Sequence, residues 1–309
     1  MNIPYGIMFH HFHGGTYRPD KANSLSKNQF EKVLNFVGIK NILSPNEWIN
    51  LSNLGKLKSY HRCITFDDGL KSQFDVALPV LQKYNLKAFW FIYSAQYYGD
   101  YPRLNVFRKF RYHYFDNISE YYKEFFSQDS VKNLINDRDF KSWKNHLSKI
   151  CPFYSDEDLK YRYTRDLVLG PKKYFSIVEK LIKLHNLKLS DLTNNLWLTK
   201  SDLRLLSKQG HVLGLHSHDH PTVLRNLTQK QQETQYIKNK NFIKKYSSSI
   251  VSMAHPCNSY NKTTLKILSN MGIKIGFRAN TNNKNIINSF KNLQLPREDC
   301  TNILHKFIN

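Results

Sequence analysis

Residues 64–70, ITFDDGL, set two adjacent aspartates and a glycine directly behind a short apolar, β-branched run. Side chains alternate along a strand, so Asp67 and Asp68 are expected to point in different directions at a strand end. Such a pair can decorate an ordinary acidic turn, or it can serve two jobs in one site. The flanking sequence reads as strands alternating with helices. Upstream, YGIMFHHF (5–12) reads as a first strand. LSKNQFEKVLNFVG then supplies Ser26 as an N-cap, Phe30, Val33, Leu34 and Val37 as an apolar helical stripe, and Gly38 as a stop. PNEWINL reads as a second short helix, and RCITF (62–66) as the strand that delivers the aspartates.

Downstream, Leu70, Phe74, Ala77, Leu78, Leu81 and Tyr84 recur at helical spacing, with Pro79 marking a kink or a restart. KAFWFIY (87–93) is a continuous apolar run suited to a strand buried on both faces. Residues 97–196 carry amphipathic helical patterns and few strand signals, and are expected to form a helical insertion within a single domain spanning 1–309. From Trp197 the alternation resumes: a helix near 199–208 closed by Gly210, strand HVLGL (211–215), a polar helix over 228–246, and strand IVSMA (250–254). A helix from near Tyr260, strand IKIGFRA (273–279) and a last short strand near LQL (293–295) follow. This order predicts an α/β fold, a parallel sheet or barrel with helices outside.

The 309 residues, 40% hydrophobic and 14% aromatic, suffice for a substantial core, which excludes a disordered chain. No apolar run is long enough to cross a bilayer. The start, MNIPYGIMFHHFHGG, lacks the parts of a secretory signal, so a cytoplasmic location is expected, with the inner membrane face as a peripheral variant. Cys63, Cys151, Cys257 and Cys300 form no CxxC pair and are expected to be reduced. The net charge of +22 admits anionic glycan precursors or an anionic membrane surface as partners. The lysines are scattered, however, and nothing resembles a nucleic-acid motif, so no specific nucleic-acid partner is expected.

In folds of this kind ligands sit beyond the carboxyl ends of the strands. His10 and His11 fall at one such end, Asp67 and Asp68 at another, His216 to His220 at a third, and His255–Pro256 at a fourth. HSHDHP (216–221) places two imidazoles four apart in a loop that Pro221 keeps from being helical. Two histidines and one aspartate make a ligand set for a catalytic divalent metal with positions left open. One aspartate would ligate the metal. Its neighbour, facing elsewhere, would take a proton from metal-bound water, whose pKa the ion lowers to about 7.

TFDDG (65–69), HSHDHP (216–221) and AHPCNSYN (254–261) together resemble the polysaccharide deacetylases, carbohydrate esterase family 4, with their NodB-homology domain. MFHH (8–11) is similar to the MYH opening of the subgroup acting on bacterial surface glycans. The resemblance covers 1–96 and roughly 197–300, and leaves the helical stretch unaccounted for. It implies a distorted (β/α) barrel and hydrolysis of an N-acetyl group on an amino sugar of a surface polysaccharide or its precursor. It also implies Asp67 as the catalytic base, with Asp68, His216 and His220 as ligands of one divalent ion. Zinc is the default ion, with cobalt, nickel and iron admitted. On the oxyanion and substrate-binding side the resemblance places Cys257, with Pro256 before it, and Ser217, which steadies the histidine loop. Cys257 would act through its backbone N–H, its thiol being expected buried and inert.

The chain departs from the family pattern at several places. Ala254 stands where the family's RxPY motif has the arginine that partners the catalytic aspartate. Arg297, in LPRED, is a substitute from another strand end, or else an ordinary surface partner of Glu298 or Asp299. The general acid lacks a clear motif, leaving His10 and His255 as candidates, each of which can equally be structural. His218 reads as a loop residue, and His305 lies only four residues from the end, where fraying is common. In the helical stretch, Tyr97, Tyr98, Tyr101, Phe107, Tyr112 and Tyr114 read as core or as sugar-stacking rings. Arg103, Arg108 and Arg111 could contact a phosphate of a nucleotide- or lipid-linked sugar. Two other readings remain open: a non-catalytic glycan-binding protein on the same fold, and a hydrolase of O-acetyl esters or other amides.

Overall fold

The computed structural model describes residues 2–17, 24–132, 134–150, 154–282 and 286–305. Cys151 lies outside them. Two compact units result, one from 2–17, 24–102 and 197–305, the other from 103–196.

The first unit is built on a seven-stranded, all-parallel sheet. Its strands are β1 (Tyr5–Phe9), β4 (Arg62–Asp67), β5 (Phe89–Ile92), β6 (Val212–Leu215), β7 (Ser252–Ala254), β8 (Ile275–Phe277) and β9 (Arg297–Asp299). Their spatial order is β8-β7-β6-β5-β4-β1-β9, and two further short strands, β2 (His11–Phe12) and β3 (Ser24–Leu25), pair apart from it. The edges nearly meet. Leu295, just before β9, bridges Phe277 of β8 in parallel, and Arg278 N–H donates to Leu295 O at 3.0 Å. The result is a distorted (β/α) barrel.

Local chemistry sets the helices as expected. Ser26 caps α1 (Lys27–Val37), Ser44 caps α2 (Pro45–Asn53) and Thr199 caps α9 (Lys200–Lys208), each by a reciprocal capping box. The predicted restart at Pro79 takes a particular form. A wide turn over Gln73–Ala77 runs into α3 (Leu78–Lys83), with the proline in its first turn, where no N–H is needed. All four residues of β5 are buried, as its unbroken apolar run requires. Gly214 in β6 is fixed by space: a Cβ there would lie 2.6 Å from the Phe91 ring and 2.8 Å from Ser252 Oγ.

Two strand expectations need correction. The run 5–12 is not one strand: the ladder with β9 ends at Met8 and that with β4 at Phe9, and His11–Phe12 pairs instead with Ser24–Leu25. The final strand lies not at 293–295 but at Arg297–Asp299. Leu293 and Gln294 end a 3₁₀ segment that the Gln294 carboxamide closes onto Ile287 O and Phe290 O, and Pro296 offers no N–H to a ladder.

The second unit is helical: α4 (Arg103–His113), α5 (Ile118–Ser127), α6 (Asp137–Ile150), α7 (Asp156–Tyr163) and α8 (Gly170–Leu184). Phe107, Phe110, Tyr121, Phe125, Tyr161, Val178 and Leu181 are fully buried within it. Phe107 is therefore core, whereas Tyr114 is exposed. Tyr97, Tyr98 and Tyr101 belong to the first unit; α10 (Gln229–Ile243), α11 (Lys262–Asn270) and α12 (Cys300–Ile303) complete that unit.

Candidate metal centre and active site

β4 ends on Asp67, and the chain turns at once. Asp68 takes φ +75 and Gly69 φ +62, so two consecutive left-handed residues swing the second carboxylate away from the first. A non-glycine residue held there stores about 1–3 kcal/mol, which the surrounding structure must sustain. Ser217, His220, Cys257 and Asn258 are also left-handed, at φ between +48 and +63. Much of the positive-φ strain among the described residues thus collects in three loops at the carboxyl ends of β4, β6 and β7.

Asp68, His216 and His220 are all buried, and their donor atoms lie within 4.8 Å of one another. His216 Nδ1 is 2.9 Å from Ala254 O, which can only accept, so that nitrogen carries the proton and Nε2 presents its lone pair. That Nε2 lies 3.4 Å from Asp68 Oδ1 and 3.2 Å from His220 Nε2, which is itself 3.4 Å from the same oxygen. Burial pushes the Asp68 carboxyl up, but His220 and His216 outweigh it and hold the group well below its ordinary range. His220 goes the other way: burial, with His216 beside it, drops its pKa to about 4, so it is a neutral ligand at pH 7. Burial lowers the His216 pKa, but Asp67 and Asp68 outweigh it and raise it, so a cation binding there would displace a proton. One buried carboxylate oxygen and two imidazole nitrogens, crowded this closely, fit a borderline divalent cation.

Asp67 faces a different partner. Arg297 forks onto it, Nη1 donating to Oδ1 at 2.6 Å and Nη2 to Oδ2 at 2.8 Å. The same guanidinium donates through Nε to Arg278 O at 3.0 Å and through Nη1 to Thr65 Oγ1 at 3.2 Å. Arg297 is 0% exposed and Asp67 2%, which rules out the surface pairing with Glu298 or Asp299. β9 reaches β4 only across β1, and Gly6 opens the way: it sits opposite Arg297, and a Cβ on it would stand 3.2 Å from Arg297 Cγ. Burial raises the Asp67 pKa, yet Arg297, His216 and His10 together bring it below the ordinary value. Asp67 is therefore ionised and able to accept a proton at neutral pH.

His10 follows β1 with its side chain about one-third exposed and Nε2 3.7 Å from Asp67 Oδ2. His255 is sealed: Nε2 donates to Leu293 O at 2.8 Å, the ring stacks on Tyr260 at 4.1 Å, and burial lowers its pKa to about 3. A histidine that resists protonation to that degree is a poor proton donor at neutral pH. Pro256 and Cys257 form the tight turn after β7, and the expectation of a buried thiol is wrong: Cys257 is exposed. Its left-handed φ of +48 at the crest of the turn puts the side chain on the surface. Ser217 is fully buried and its Oγ accepts from His220 N–H at 3.2 Å. His218 bonds to Ser94 Oγ at 2.9 Å and stays in the loop wall. His305 is exposed.

Three supporting residues escaped the sequence reading. Gln73 donates from Nε2 both to Asp67 O at 2.6 Å and to His10 O at 2.7 Å, while its Oε1 accepts from Leu70 N–H at 3.2 Å. Asn239 of α10 accepts from His216 N–H at 2.9 Å and donates to Ile92 O at 2.8 Å, tying the ends of β5 and β6 together. Thr65 bonds both Arg297 and Ile7 O. A usable signal existed for Asn239: it falls on the buried stripe Gln232, Tyr236, Asn239, Phe242, Ile243, where a polar side chain needs a partner.

The polysaccharide deacetylase model matches residues 56–122 and 172–276, more than half of the chain. The chain belongs to the polysaccharide deacetylase family. Carbohydrate deacetylation is accordingly its chemical class, and an acetylated glycan its class of substrate. The match enters the helical stretch at both ends and passes over residues 123–171. No curated protein matches the chain. Among solved structures it is similar to a Streptococcus pyogenes deacetylase, PplD, in complex with acetate, at 18% identity and TM-score 0.56, covering 99% of this chain and 97% of that one. IcaB from Ammonifex degensii matches at 13% identity and TM-score 0.54, over 96% and 91% of the two chains. The BpsB deacetylase domain from Bordetella bronchiseptica matches at 14% and 0.50, over 96% of each. At these identities the likeness establishes the fold, a NodB-type deacetylase barrel.

Proposed function

We propose that this polysaccharide deacetylase is a metal-dependent N-deacetylase of an amino sugar in a surface polysaccharide or its precursor. The observation that carries the proposal is the pairing of two unlike carboxylates at one strand end. Asp68 converges with His216 and His220, and Asp67 is locked ionised by Arg297. A divalent ion held by Asp68, His216 and His220, zinc by default, would supply Lewis acidity toward water and the acetyl oxygen.

The chain's own groups take the remaining roles. Asp67 accepts the proton as a water oxygen adds to the acetyl carbon. His10, near Asp67 and partly open to solvent, gives a proton to the amide nitrogen as the C–N bond breaks. Acetate and the free amine leave. The Cys257 N–H, in the left-handed turn after Pro256, is assigned to the oxyanion, and Ser217 fixes the His220 backbone. No helix among the described residues is long and apolar enough to cross a membrane. Work on a cytoplasmic precursor, with the basic surface touching the inner membrane face, is part of the proposal.

The test is acetate release by the zinc-loaded protein from free, nucleotide-linked, lipid-linked and polymeric acetamido sugars, with O-acetylated sugars alongside. Asp67→Asn should abolish release while metal content is retained. Full metal content with no acetate from any acetylated sugar would refute the proposal in favour of glycan binding. Release from O-acetyl sugars alone would refute the amide specificity.

A further inference from the structure

Arg111 lies on α4 in the helical unit, only 4% exposed. Its charge is surrounded by rings rather than by acids. The guanidinium carbon is 4.7 Å from the Tyr161 ring centroid, 5.4 Å from Tyr112 and 5.9 Å from Tyr121. Its Nε–H is buried with no acceptor, and no carboxylate pairs with it, among the described residues. Two acids bonded to residues around this cluster are already committed. Asp158 takes Tyr122 Oη and Ser155 Oγ, and Asp166 takes both Nε and Nη2 of Arg165 at 2.7 Å.

A buried cation is ordinarily paired and hydrogen-bonded, because taking an ion from water costs more than ring faces return. Ring faces also leave a guanidinium's five N–H donors, set in a planar fork, unsatisfied. What completes such a fork is a planar or tetrahedral oxyanion. Phenolic donors stand within the same cluster, where Tyr161 and Tyr174 Oη are 2.5 Å apart and Tyr121 Oη is 3.3 Å from Tyr161 Oη.

We infer that the helical unit holds an oxyanion site, centred on Arg111 and backed by Tyr161 and Tyr174, that takes a phosphate-type group. The group is either free phosphate or the phosphoryl moiety of a sugar phosphate. The inference concerns this unit alone and stands whether or not the barrel deacetylates.

The full-length protein is titrated with inorganic phosphate, and separately with a hexose 1-phosphate, at ionic strength matched by sodium chloride. Thermal midpoint and 31P line width are the readouts. The wild type should show a saturable rise of several degrees and line broadening. Arg111→Met should lose both while its ligand-free midpoint is equal to or above that of the wild type, since it removes an unpaired buried charge. Arg111→Lys, which keeps the charge but not the fork, should weaken binding at least tenfold. Tighter binding of the monoester would identify a phosphorylated sugar as the source, and binding of inorganic phosphate alone a free ion. The inference is overturned if the wild type shows no saturable effect of either probe beyond matched chloride. An equal response from Arg111→Met would overturn it as well. If that variant does not fold, the wild-type 31P titration and Arg111→Lys decide the matter.

Discussion

Replacing Arg297 by methionine keeps the volume of the side chain's stem and deletes its fork. Asp67, 2% exposed, would lose two charge-assisted bonds at 2.6 and 2.8 Å, and Thr65 Oγ1 and Arg278 O would lose a donor. Removing one member of a buried ion pair costs about 3–5 kcal/mol, much of it for the charge left behind. The pH dependence has a definite sign. In the wild type the Asp67 pKa is lowered, so the pair's stabilisation is present above the unfolded value near 3.9 and fades as pH falls through the folded one. In the variant burial acts unopposed by Arg297 and raises that pKa. The stability gap between the two proteins should therefore be widest near neutrality and close toward acid. Urea unfolding at a series of pH values measures it directly. For acetate release, the acid limb of kcat/KM should move to higher pH, because the base is then protonated at a higher pH than in the wild type. A loss under about 1 kcal/mol at pH 7, with the acid limb unmoved, would show that Arg297 does not govern Asp67.

Two further outcomes bear on the groups behind the site. Asn239→Leu strips the acceptor from His216 N–H and the donor from Ile92 O, and metal affinity by competitive chelation should fall about 10–100-fold. An affinity within a factor of two of wild type would remove Asn239 from the metal centre. Gln73→Leu unties the backbones of Asp67 and His10, so kcat should drop about 100-fold with metal content unchanged, as expected when reacting groups move by about 1 Å. A change confined to KM would instead point to substrate contact.

Local sequence determined much of this protein. Capping residues, apolar stripes and β-branched runs act over a few residues, so the helices starting after Ser26, Ser44 and Thr199 were legible one by one. So was the pairing of ITFDDGL with HSHDHP, because a ligand set is a matter of residue type at strand ends. Boundaries failed where a distant partner sets the register. The first strand stops at Phe9 because its ladders end there, opposite Asp299 at Met8 and opposite Phe66 at Phe9, and the last begins after Pro296, where it pairs with β1.

What holds Asp67 was decided by tertiary structure alone. The two residues are 230 apart in sequence, and their contact depends on near closure of the barrel and on Gly6 leaving room for a side chain to cross β1. Exposure was likewise illegible at Cys257, since the turn that turns it outward depends on a single positive φ. Sequence names the groups that can do chemistry. Long-range packing decides which two of them meet, because a contact between remote residues is a property of the closed sheet and of no segment within it.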